Sequence, residues 1–126
     1  MSLRTPLGKV LGHGSAKEGT GHFFGQRVSG VALLLLGLWF ACSLATMPGF
    51  EHANALAFIG APLNGVLLLL LVAALAYHSS LGVQVVIEDY VHGHGLKLVS
   101  LIFSRFVHSF LLVAAIYAIF KIGLGA

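Results

Sequence analysis

Three apolar runs, each long enough to cross a lipid bilayer and almost free of charge, decide what this chain can become. A helix needs roughly 20 apolar residues to span a hydrocarbon core of about 30 Å. The first run covers about 28–46 and stops at Met47-Pro48-Gly49. The second starts near Pro62, a residue suited to a first helical turn because its missing N–H has no partner there, and continues to about 88. The third covers about 98–120, bracketed by Lys97 and Lys121. In lipid every backbone N–H and C=O must be paired within its own segment. The expected fold is therefore an all-α integral membrane protein with three transmembrane helices.

Composition excludes the soluble alternatives. Of 126 residues, 58% are hydrophobic and only 9% charged, against about a quarter charged in a soluble domain. Such a chain cannot cover itself with a hydrated surface, so its solvent is lipid. The net charge of +3 does not point to nucleic acid, because the bases are not spread over a face. Four of the seven, Arg4, Lys9, Lys17 and Arg27, precede or border the first apolar run. The loop at 48–61 has Glu51 and no Lys or Arg, whereas the one at 89–97 ends on Lys97. By the positive-inside rule the N-terminus and the second loop are cytoplasmic, and the first loop and the C-terminus lie outside. The expected organisation is a cytoplasmic N-terminal segment, 1–26, followed by a membrane domain, 27–126. No cleavable leader is expected, since the first apolar run is long enough to remain in the membrane. Trp39, Tyr117 and Phe120 read as interfacial aromatics. The lone cysteine, Cys42, reads as packing, and one thiol can hold no iron–sulfur cluster.

Ionisable groups at membrane depth are expensive and commonly functional. The stretch 77-YHSSLGVQVVIEDYVHG-93 holds one, His78, in an otherwise apolar helix, and then ends in Glu88, Asp89 and Tyr90. His78 precedes Asp89 by 11 residues, so it lies roughly 16 Å below the interface. Eleven residues make almost three whole turns, which puts both on one face. Ala74 and Gly82, one turn to either side, leave a flat space around the imidazole, as a porphyrin plate requires. A hydrogen bond to a neighbouring helix, or simple packing among small residues, accounts for the same pattern. Arg105 and His108 form a second polar pair, with His108 at about the depth of His78. His78 and His108 can clamp one haem within this chain; alternatively His108 bonds between helices and Arg105 snorkels toward the cytoplasm. Asp89-Tyr90 is either an ordinary helix end or a quinone site. In the second case a phenol donates to a quinone carbonyl and a carboxylate orients it or relays protons.

Two motifs then carry a likeness. The stretch 14-GSAKEGTGHFFGQRVSG-30, together with 77–93, resembles the hydrophobic membrane anchors of succinate dehydrogenase, the succinate:quinone oxidoreductase of respiratory complex II. The resemblance covers nearly the whole chain. It implies a helical bundle formed with a second anchor, the cytochrome b556 subunit, and holding haem b between them. His78 is then one axial ligand of the haem iron, the second coming from the partner. Arg27, and less closely His22, match residues that approach the haem propionates. Tyr90 and Asp89 match the ubiquinone-binding pair. FAD and iron–sulfur clusters are expected only on the flavoprotein subunit and the iron–sulfur subunit. The setting is the bacterial inner membrane, with lipid and ubiquinone as the small-molecule partners and no nucleic acid. Arg105 and His108 match no functional position of that family, and Glu88 is given no role by the resemblance.

Two other readings are open to the residues themselves: a self-contained cytochrome b ligated by His78 and His108, and a non-catalytic assembly or transport protein in which His78 relays protons or packs.

Overall fold

The computed structural model describes residues 5–10 and 19–125. Arg4, Lys17 and the first five residues of the 14–30 motif lie outside them. All regular structure among the described residues is helical. A short helix α1, Pro6–Val10, begins where Thr5 Oγ1 accepts the Gly8 N–H at 3.1 Å. Three long helices follow: α2 (Gly19–Ala45), α4 (Pro62–Tyr90) and α5 (His94–Gly123), with a nine-residue helix α3 (His52–Gly60) between the first two. All three long helices are apolar enough to cross a membrane.

Their lengths exceed the apolar runs. At a rise of 1.5 Å per residue, 27, 29 and 30 residues reach about 40–45 Å, so each helix extends through the hydrocarbon core into the headgroup layer. The largest difference from expectation is at α2, which starts at Gly19 and not near 28. His22, Gln26 and Arg27 are therefore helical residues with fixed angular positions, and the boundary placed at 26/27 falls within a continuous helix.

α4 is the central element, packing against α2 on one side and α5 on another. α2 and α4 approach closely through Gly25, where a Cβ would lie 2.5 Å from Tyr77 Oη. The connection from α4 to α5 is only Val91, His92 and Gly93. Lys97 Nζ donates to the Glu88 carbonyl at 2.7 Å, bonding one of the C-terminal carbonyls that a helix leaves unpaired. At the opposite end α3 packs against both α4 and α5. There Trp39 stacks on Phe58 at 6.0 Å, and Asn64 Nδ2 donates to Phe58 O at 3.0 Å.

Very little of the chain is interior. Among the described residues only Leu68 and Ser29 are buried, at 8% and 6% exposure. Hydroxyls inside the spans bond to their own helix, as Ser43 does to Trp39 O and Ser80 to Tyr77 O, both at 2.8 Å. This satisfies them without water.

Candidate functional site

α2 carries His22, Gln26 and Ser29 at intervals of four and three residues, which aligns them on one stripe. That stripe meets His78 of α4. His78 Nδ1 lies 2.9 Å from Ser29 Oγ, and its Nε2 lies 3.4 Å from Gln26 Nε2. Gly30 lets α2 pass over the ring: a Cβ there would sit 3.5 Å from His78 Cε1. Gly82, one turn after His78, faces Gln26 in the same way, with a Cβ-to-Nε2 distance of 3.9 Å. The small residue beside His78 is thus matched by a second one across the interface, and α2 occupies much of the space around the imidazole.

Toward the N-terminal end of α2 a cleft of about 410 Å³ opens between the helices. His22, Gln26 and Arg27 line it from α2, and Gly82 and Val85 from α4. Arg27 holds its guanidinium 4.7 Å from the centroid of the Phe23 ring, a cation–π distance. His22 Nε2 and Gln26 Oε1 are buried with no hydrogen-bond partner among the described residues. Buried polar atoms are nearly always paired. Two orphans beside a cation mark a place where a further polar group can bond. No group of three or more His, Cys, Asp or Glu converges among the described residues. A single imidazole next to a cationic cleft suits an iron held mainly by other ligands and carrying anionic substituents, which is the chemistry of haem.

Asp89 and Tyr90 are the last two residues of α4, and both are exposed, Tyr90 at 78%. α4 runs unbroken from Pro62 to Tyr90, so the 11-residue spacing from His78 to Asp89 is helical throughout. Glu88 is occupied locally, its Oε1 accepting from Gln84 Nε2 at 2.8 Å.

Arg105 and His108 belong elsewhere. They line a groove of about 390 Å³ between α4 and α5, with Tyr77, Ser80 and Gln84 opposite. His108 Nδ1 donates to Ser104 O, in its own helix, at 2.7 Å. His78 turns to α2 and His108 to the α4–α5 groove, so the fold does not bring the two imidazoles together as a clamp.

Residues 1–120 match the family of succinate dehydrogenase/fumarate reductase transmembrane subunits. The chain belongs to that family. The succinate dehydrogenase hydrophobic membrane anchor subunit of Paracoccus denitrificans is 35% identical over 126 residues, covering 100% of this chain and 97% of its own. The protein of the same name from Rickettsia typhi is 37% identical over 106 residues, 84% of this chain and 85% of its own. That of Rickettsia bellii is 32% identical over 121 residues, 96% and 97%.

Ser29 and Gln26, the α2 residues that contact His78, are not singled out by reading the sequence. Their signal was present in the stripe of spacing four and three through His22. It became meaningful only when the helix proved to start at Gly19.

Proposed function

We propose that this protein anchors a succinate:ubiquinone oxidoreductase in the bacterial inner membrane, shares haem b with a partner anchor, and supplies part of the ubiquinone-reducing site. The observation that carries this reading is one unbroken helix, α4, with His78 at depth against a polar stripe of α2 and an exposed Asp89-Tyr90 pair at its end.

His78 is the haem ligand contributed by this chain, and the cytochrome b556 partner contributes the other. Arg27 and His22 hold the propionates, because the cleft they line offers a guanidinium and a buried imidazole nitrogen. Bound there, haem supplies a one-electron store within the bundle. Tyr90 donates its phenolic proton in a hydrogen bond to a quinone carbonyl, and Asp89 orients that phenol or passes protons from water. In such a complex the flavoprotein and iron–sulfur partners would hold the FAD and clusters that deliver electrons from succinate. Two electrons and two protons convert ubiquinone to ubiquinol. The chain alone has no dehydrogenase activity. The N-terminus and the α4–α5 turn face the cytoplasm and the C-terminus the periplasm, a reading supported by the bases before and around α2 and by Lys97.

Two substitutions in the purified complex test this. Tyr90→Phe is expected to cut quinone reduction severely while succinate oxidation by an artificial dye continues. Equal loss of both activities contradicts a local quinone role. His78→Ala is expected to remove or weaken the haem, and an unchanged haem spectrum sinks the ligand assignment.

A further inference from the structure

We infer that Ser29 is the positioning residue of the haem ligand: it holds His78 as the Nδ1–H tautomer and so presents the Nε2 lone pair to the iron. This rests on the reading of His78 as that ligand.

The argument is a count of protons. Ser29 Oγ has one hydrogen. Its shortest contact is to an atom that can only accept, Gly25 O at 2.7 Å, with Gln26 O at 3.2 Å as a weaker second acceptor, and we place the hydrogen there. What Oγ turns to His78 Nδ1, at 2.9 Å, is therefore a lone pair. Two lone pairs at that distance repel, so Nδ1 carries the proton. A neutral imidazole has only one ring N–H, and Nε2 is then unprotonated. That is the form an iron requires. Its only polar neighbour among the described residues is the Gln26 amide nitrogen, at 3.4 Å, a long contact from a side chain whose own Oε1 is orphaned. A side chain so weakly held can rotate off the coordination position.

Burial makes the assignment specific. Ser29 is the one buried polar residue among those described, 6% exposed in a chain whose spans are otherwise open. The other span hydroxyls, such as Ser43 and Ser80, bond back to their own helix. Ser29 does that and also reaches across to α4. An outer hydrogen bond of this type fixes ring orientation and raises ligand basicity, and its loss commonly lowers affinity by roughly 10–100-fold.

The test uses the whole complex with its partner proteins, comparing Ser29→Ala, Ser29→Thr and His78→Ala. The readouts are the rate at which haem is lost to an acceptor protein, the low-spin spectrum, and the haem midpoint potential by redox titration. Ser29→Ala is expected to weaken haem retention by roughly 10–100-fold. It should also shift the midpoint positive, because a less basic imidazole stabilises ferric iron less. Ser29→Thr keeps the hydroxyl and should restore both. A bond that merely packs α2 on α4 affects assembly and leaves the midpoint unchanged, and that result overturns the inference. Should Ser29→Ala not assemble, Ser29→Cys, with a weaker acceptor of similar size, is read in its place: a positive shift supports the inference and an unmoved midpoint overturns it. If His78→Ala keeps its haem, the ligand reading itself falls. If His78→Ala loses haem while Ser29→Ala behaves as the parent, only the positioning role falls.

Discussion

At the scale of single residues, the His78 environment is set by what is small beside it. A Cβ on Gly30 makes ordinary contact with the ring, at 3.5 Å, so alanine fits there. A branched side chain does not, because its further atoms must occupy the volume of the imidazole. Gly30→Ala is expected to keep the haem, and the helix gains about 1 kcal/mol in propensity. Gly30→Leu is expected to lose most of the haem, measured by pyridine haemochrome content per complex. Equal haem in the two variants would mean that α2 does not confine the ring. That His78 and Asp89 stand on one continuous helix 11 residues apart was legible in the sequence, because a helix fixes the rise and the face between two positions. Ser29 and Gln26 were not, because the bond that gives them meaning spans 49 and 52 positions. Periodicity describes one helix at a time and is silent on which stripe a neighbour presents.

Elements show a similar division. The three spans follow from apolar length alone, and their cores match the expected positions. Their ends do not, because polar residues at a helix end in the headgroup layer look like loop. α2 begins nine residues before the apolar run at 28, and α5 begins at His94 inside what reads as a glycine- and histidine-rich loop. The helix α3 was hidden for the opposite reason: nine residues are too few to show a pattern, and it forms by leaning on α4 and α5. One inter-element bond has a measurable consequence. Lys97 Nζ on the Glu88 carbonyl fastens the end of α4, where Tyr90 stands. A cation at a helix C-terminus contributes about 0.3–1 kcal/mol. Lys97→Met keeps the stem and removes the donor. Its expected effect is a rise in the apparent KM for quinone of about two- to fivefold, with dye-linked succinate oxidation unchanged. An unmoved KM would show that the cap does not hold Tyr90 in place.

The whole molecule is notable for how much of it is open. Phe103, Phe106 and Phe110 on α5 are 68–72% exposed, and Phe24 on α2 is 69% exposed. Such faces need lipid or another chain. Expressed without its partners, the protein is expected to accumulate poorly and carry no haem, and co-expression should restore both, read by immunoblot and spectrum of the membranes. Stable haem in the chain alone would instead favour a self-contained cytochrome. Orientation is testable separately. In a Cys42→Ala background, Phe50→Cys should react with an impermeant maleimide in intact spheroplasts, whereas His92→Cys should react only after the membrane is opened. The reverse pattern inverts the topology. The three-residue turn between α4 and α5 also bears on how the chain is made. So short a link lets those two helices enter the bilayer together as a hairpin, after α2 has already been inserted. The hydroxyl that bonds His78 Nδ1 is therefore synthesised well before the histidine, 49 positions earlier in the chain. Until the α4–α5 hairpin closes against α2, His78 lacks its Ser29 partner.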